Sequence, residues 1–140
     1  MLDVRSCELL ISRNRQEEAA RNVADNYARR LLLFYAVECG VKYQLLVNEN
    51  CFIYKKLSSE DKGLKHNLMK LLKRIGLEQK CDVMFPDLHS TLNDETIDVS
   101  QYHEMWRYGI RCKEGESSER IIEENLKKTL LLLHDYEARR

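Results

Sequence analysis

One helical stretch in the first third of the chain constrains the fold more than any other part of the sequence. From about Gln16 to Val47, apolar positions recur at spacings of four and three residues, which places them on one stripe of an α-helix. The stripe comprises Ala20, Ala24, Tyr27, Leu31, Phe34, Glu38, Val41 and Leu45. Residues 31–37 read LLLFYAV and are apolar on every side, as in a helix covered by several neighbours. The sequence therefore predicts one long central helix, with Gly40 marking a bend or a close helix contact.

The rest of the chain is also predicted to be mostly helical. A second helix is expected from a cap at Ser58 or Ser59 to Gly76, followed by a segment that is mostly loop with a short helix near residues 87–93. A short aromatic helix over residues 102–111 follows, ending near Gly109 or continuing irregularly to Gly115, and a last helix capped by Ser117 or Ser118 completes the chain. The last helix has its own stripe, made of Ile122, Leu126, Thr129, Leu133 and Tyr136. We therefore predict an all-α fold, a four- to five-helix up-and-down bundle that forms a single domain over residues 1–140.

Composition supports this fold and limits the function. Five Gly and one Pro in 140 residues are too few turn formers for a many-stranded β fold. The 23 Lys and Arg balance the 23 Asp and Glu, so no global charge attracts the chain to nucleic acid or to a membrane. The sequence contains no common cofactor motif, and its five Cys lack metal-ligand spacing. We also expect no signal peptide and no membrane span, because the apolar runs are too short for either. We expect a cytoplasmic protein with reduced thiols, no metal and no cofactor.

Three segments together resemble one protein family. Their residues are Ala36, Glu38, Cys39, Gly40 and Lys42, then His66, Leu68, Leu71 and Gly76, and finally Trp106, Arg107 and Tyr108. In this order and spacing, from about Gln16 to Tyr136, the chain resembles HEPN domains (higher eukaryotes and prokaryotes nucleotide-binding). The resemblance implies an all-α HEPN-like bundle that often dimerises and that occurs in toxin–antitoxin pairs, CRISPR-linked effectors and other prokaryotic antiviral systems.

Catalytic members of that family are metal-independent ribonucleases with an Arg and a His separated by four to six residues. None of the four His of this chain follows an Arg at that spacing. The nearest substitute is His103 with Arg107 and Arg111, which would share one face of a continuous helix. Two interpretations remain open: a displaced catalytic site, or a solvated helix face with His103 packed beside Trp106.

Glu38 interrupts the apolar stripe and therefore needs a partner, since an unpaired buried carboxylate costs several kcal/mol. The candidates are Lys42, four residues later, and Arg107 or Arg111 from another helix. In one interpretation Glu38 belongs to a polar clamp inside the bundle. In the other, Glu38 and Lys42 line a cleft shared with the segment that carries Tyr102, Trp106 and Arg107.

Charge is distributed unevenly along the chain. The second predicted helix and its exit are basic through Lys62, Lys65, Lys70, Lys73, Arg74 and Lys80. The following loop is acidic through Asp82, Asp87, Asp94, Glu95 and Asp98, as is the start of the last helix through Glu114, Glu116, Glu119, Glu123 and Glu124. Such asymmetry suits docking between unlike protein surfaces, although a basic helix can also follow an RNA backbone.

Two functions follow. The first is a non-catalytic HEPN-like subunit that self-associates and binds a partner effector protein from a neighbouring gene, in antiviral defence or a toxin–antitoxin system, with a nucleotide as a further candidate ligand. The alternative is a metal-independent ribonuclease toxin that uses His103, Arg107 and Arg111. In either case we expect at least a homodimer, formed through apolar faces that include Leu31, Phe34 and Tyr35.

Overall fold

The computed structural model describes residues 4–78 and 85–139. Within these ranges the α-helices are α1 (Ser6–Arg21), α2 (Asn26–Asn48), α3 (Ser59–Lys62), α4 (Leu68–Arg74), α5 (Tyr102–Tyr108) and α6 (Gly115–Ala138). Short 3-10 helices cover Tyr54–Lys56 and Val99–Gln101, and the strands β1 (Leu88–His89) and β2 (Thr96–Ile97) form a small hairpin. The all-α prediction is thus confirmed apart from this hairpin. The predicted count of four or five helices is wrong, because two predicted helices are each divided.

The predicted single helix over residues 16–47 is two helices that pack against each other. The chain leaves helical geometry after Arg21, and Asp25 caps α2 by accepting a hydrogen bond from the amide of Ala28 at 2.8 Å. The apolar stripe continues across the break between α1 and α2, so periodicity alone did not reveal the break. Gly40 provides the expected close contact, since a Cβ there would lie 2.9 Å from Arg13 Cδ and 3.0 Å from Leu133 Cδ1.

The second predicted helix is divided into α3 and α4. The predicted cap is confirmed, because Ser58 Oγ accepts a hydrogen bond from the Asp61 amide at 3.1 Å. Helix α3 ends at Lys62, Lys65 adopts a left-handed backbone with φ of 46° in the connection that follows, and Asn67 then caps α4. Gly76, with φ of 80°, follows the end of α4 as predicted.

The predicted short helix near residues 87–93 is instead the β1–β2 hairpin. Leu88 pairs with Ile97 and His89 pairs with Thr96, and the two apolar residues of this ladder are buried. Asp94, with φ of 56°, lies in the turn between the strands. Residues 79–84, which belong to the predicted loop and include Cys81, lie outside the described residues.

The last two helices agree closely with the sequence. The aromatic helix α5 ends at Tyr108 because Gly109 adopts a left-handed φ of 67°. Helix α6 begins at Gly115 with Glu114 in the cap position, so Ser117 and Ser118 lie inside it rather than before it. Its predicted stripe is confirmed: Ile122, Leu126, Thr129 and Leu133 are buried, and Tyr136 is half-buried.

Helix α2 is the central helix, as predicted from its apolar circumference. Its buried apolar residues are Leu33, Phe34, Ala36, Val37, Val41, Leu45 and Leu46. Helices α1, α4, α5 and α6 all contact it. None of the described helices combines the length and the apolarity that crossing a bilayer requires.

A buried guanidinium joins three helices around this core. Arg30 of α2 is 1% exposed, and it donates hydrogen bonds to Glu123 at 2.9 Å and to Glu116 at 3.0 Å, both on α6. Glu119 lies 3.8 Å from the same guanidinium and accepts a hydrogen bond at 2.8 Å from the indole of Trp106 on α5. Burial raises the pKa of Glu119, whereas the Trp106 bond and the Arg30 charge act in the opposite direction.

We predict that Arg30→Ala lowers the free energy of unfolding by about 3–5 kcal/mol, because the buried Glu119 loses its cation and the buried Glu123 loses one of its three. Urea denaturation measures the change. The control is Arg21→Ala, whose ion pairs are exposed and whose removal should change the stability by less than about 1 kcal/mol. An Arg30→Ala variant as stable as the control would contradict the structural role of this clamp.

Candidate functional site

Three polar side chains meet where α2, the connection between α3 and α4, and α5 come together. Glu38 lies on the buried stripe of α2, His66 immediately precedes the Asn67 cap of α4, and His103 is the second residue of α5. Glu38 and His103 are buried, whereas the side chain of His66 is 43% exposed. A solvent-accessible imidazole is therefore backed by two buried polar groups.

Glu38 binds two partners. Its Oε1 lies 2.6 Å from His66 Nδ1, and its Oε2 accepts a hydrogen bond from Lys42 Nζ at 3.4 Å. The ammonium of Lys42 also lies over the Tyr54 ring, 5.2 Å from its centroid. The predicted burial of Glu38 and its pairing with Lys42 are confirmed.

His66 was absent from the partners proposed for Glu38, and its contact is the shortest one that the carboxylate makes. A signal for it was present, because His66 begins one of the three segments on which the family resemblance depends. The spacing did not reveal the pairing, since Glu38 and His66 are 28 residues apart and belong to different elements.

His103 lies between the aromatic core and His66. Its ring stacks on Phe34 at a centroid distance of 5.7 Å, and the centroids of the two imidazoles are 4.3 Å apart. Burial lowers the pKa of His103, and the neighbouring His66 lowers it further. Its Nδ1 is buried without a hydrogen-bond partner, so the ring is expected to be uncharged near neutral pH.

The predicted alignment of His103, Arg107 and Arg111 on one helix face is wrong. Helix α5 ends at Tyr108, so Arg111 follows the left-handed Gly109 and is not on the helix. Arg107 is exposed and donates a hydrogen bond to the hydroxyl of Tyr35 on α2. Neither arginine bonds to Glu38 in the described part of the chain.

Tyr102 and Trp106, the other predicted site residues, face the core. The hydroxyl of Tyr102 donates a hydrogen bond to the backbone oxygen of Pro86, and the indole of Trp106 donates to Glu119. Both residues are at most 2% exposed. They hold α5 in place rather than lining a cleft.

The exposed side of the imidazole pair opens into a cleft of about 340 Å³ between the 63–67 segment and α5. Lys65, His66, Lys70, His103 and Glu104 are among the residues that line it. Lys65 has the left-handed backbone described above, a conformation that is uncommon outside glycine and concentrates at functional sites. Among residues 4–78 and 85–139, no three His, Cys, Asp or Glu side chains are grouped so as to hold a metal ion.

A second concave surface lies between the end of α1, the start of α2 and α6. Its floor is apolar, from Ala20, Leu33, Leu130 and Leu131, and it encloses about 380 Å³. Leu131 is 69% exposed. The charged residues of its rim are Glu17, Arg21, Arg29 and Lys127, and each of them forms an ion pair within the chain.

The apolar face proposed for dimerisation is only partly at the surface. Phe34 is fully buried and cannot contact a partner, whereas Leu31 and Tyr35 are half-buried. The prediction that Phe34 contacts a dimer partner is therefore wrong, because Phe34 packs against the aromatic rings of α5.

Comparisons of this chain with protein-family models, with curated proteins and with solved structures find no match.

We predict that Glu38→Ala lowers the free energy of unfolding by about 3–5 kcal/mol, because the nearly buried ammonium of Lys42 loses its counter-charge. The double variant Glu38→Ala/Lys42→Met should recover part of that loss, since no charge remains unpaired. Chemical denaturation measures both. Glu49→Ala, which breaks an exposed ion pair with Arg74, is the control and should cost less than about 1 kcal/mol. Equal losses for Glu38→Ala and the control would contradict this account.

Proposed function

We propose that the protein is a HEPN-like helical subunit that self-associates and binds a partner effector protein, encoded by a neighbouring gene, in a prokaryotic antiviral defence or toxin–antitoxin system. The observation that supports it is the apolar groove formed by Ala20, Leu33, Leu130 and Leu131. An apolar centre within a polar rim is the usual anatomy of a protein interface.

The rim of the groove favours a protein occupant over a free anion. The cations Arg21, Arg29 and Lys127 already pair with carboxylates of this chain. They therefore offer little net positive charge, while the exposed Leu131 provides an anchor for an apolar side chain of a partner helix. The first expected occupant is the α-helical surface of a second copy.

A non-catalytic role agrees with the observed positions of the three residues that the displaced ribonuclease site would need. The guanidinium of Arg107 is bound to Tyr35, and Arg111 is separated from His103 by the end of α5. A phosphate could not contact all three groups on one helix face, which is the arrangement that the displaced site required.

The test introduces a charge into the groove. We expect the wild-type protein to be at least a dimer by light scattering and to co-purify with the product of the adjacent effector gene. Leu131→Glu should abolish one or both associations without changing the melting temperature, because Leu131 is already exposed. Leu92→Glu, at a residue that is 93% exposed on the hairpin, is the matched control and should leave both intact. A monomeric wild-type protein that does not bind the adjacent gene product would contradict the proposal.

A second candidate is a metal-independent ribonuclease with a relocated site. The observation that favours it is the pair of imidazoles 4.3 Å apart, one of them held by the Glu38 carboxylate. A carboxylate-bound imidazole is suited to remove the proton of a ribose 2′-hydroxyl.

For this candidate we expect cleavage of a mixed RNA substrate that persists in the presence of a chelator. His66→Asn or His103→Ala should lower the rate by about 10²- to 10⁴-fold in protein that still folds. The control is His134→Asn, since His134 binds Glu17 on α1 and does not line the cleft. Absence of cleavage by the pure wild-type protein would reject the ribonuclease and leave the binding subunit.

A further inference from the structure

The two imidazoles of the cleft have opposite hydrogen-bonding roles. Nδ1 of His66 lies 2.6 Å from a carboxylate oxygen, so it carries a hydrogen and donates it to Glu38. In the uncharged ring, Nε2 of His66 is then a free acceptor. His66 lines the cleft, so this acceptor is available to a bound molecule.

His103 has the complementary role of a hydrogen-bond donor. Its Nδ1 is buried and has no partner, so a hydrogen placed there would be a buried donor without an acceptor. The hydrogen therefore belongs on Nε2, where the nearest carboxylate oxygen of the described residues is Glu104 Oε1 at 3.9 Å, too far for a hydrogen bond. His103 thus presents an unsatisfied N–H donor next to the acceptor of His66.

The charges around this pair favour an anion. Lys65 and Lys70 line the same cleft, and within the described ranges neither forms an ion pair with a carboxylate. Among the described residues that line the cleft, Glu104 is the only carboxylate, and Glu38, which lies behind the imidazoles, is paired with Lys42. Two lysines against one glutamate leave a net positive charge at its mouth.

We propose that this cleft binds a terminal phosphate, that is, a phosphate monoester. Such a group supplies an anionic oxygen for His103 Nε2–H and the two lysines. Below its second pKa of about 6 a phosphate monoester also has a P–O–H group, which can donate a hydrogen bond to His66 Nε2. A phosphodiester has no second titratable oxygen and cannot make that hydrogen bond. The inference does not depend on the partner-binding function, because the groove at Leu131 lies on different helices from the cleft.

The experiment compares two small probes, methyl phosphate and dimethyl phosphate, by isothermal titration calorimetry with the full chain. We expect methyl phosphate to bind and dimethyl phosphate to bind at least about tenfold more weakly. Affinity for methyl phosphate should fall as the pH rises above about 7, because the monoester then loses the proton that it donates to His66 Nε2. Inorganic phosphate and ribose 5-phosphate are two further probes. Tighter binding of ribose 5-phosphate would indicate that the ligand is a sugar phosphate, either a metabolite or the terminal phosphate of a nucleic acid. Equal affinity for the two would indicate that the ligand is the free phosphate ion.

Substitutions test whether methyl phosphate binds in this cleft. His66→Gln retains a donor for Glu38 but replaces the imidazole acceptor, and it should weaken methyl phosphate binding by about tenfold or more with an unchanged melting temperature. Lys70→Ala should weaken it as well, whereas Lys128→Ala, an exposed lysine of α6, should have no effect. Equal affinity for the two probes, no binding at about 10 mM probe, or RNA cleavage that His66→Gln abolishes would each overturn the proposal.

Discussion

The buried guanidinium of Arg30 is the interaction on which the arrangement of helices depends. It is 1% exposed and bonds to Glu116 and Glu123 of α6, and through Glu119 it is linked to Trp106 of α5. Apolar packing alone tolerates small shifts of one helix along another, whereas a charged fork must keep its carboxylates in place or leave them unpaired in the core. Arg30 therefore fixes the positions of α5 and α6 relative to the central helix.

This constraint extends to the candidate site. Because Trp106 is bound to the Arg30 clamp, the preceding turn of α5 is fixed, and His103 is held against Phe34 with its ring 4.3 Å from His66. The other wall of the cleft includes Lys65, whose left-handed backbone lies in the connection between the end of α3 at Lys62 and the start of α4 at Leu68. The cleft thus lies between a rigid helix and a short strained connection, an arrangement that suits recognition of a small group.

The two proposed surfaces make different demands on the chain. The groove at Leu131 is apolar and its charges are internally paired, as suits a protein partner, whereas the cleft at His66 is polar and holds unpaired donors, acceptors and lysines, as suits an anion. They lie on different elements, so a variant at Leu131 should leave phosphate binding intact and a variant at His66 should leave association intact. The two proposals can therefore be tested independently of each other.

The sequence alone determined the features that depend on neighbours along one helix. The stripes of α2 and α6 and the Glu38–Lys42 pair follow from spacings of three or four residues, and the Ser58 cap follows from residue type. Tertiary structure decided the rest: the break between α1 and α2, the β1–β2 hairpin, and the union of Glu38, His66 and His103. His66 is 28 residues from Glu38, and Arg30 is 86 residues from Glu116, so local periodicity contains no information about either contact. These pairs form only when the chain folds, because a buried charge needs a partner and that partner can lie anywhere in the sequence.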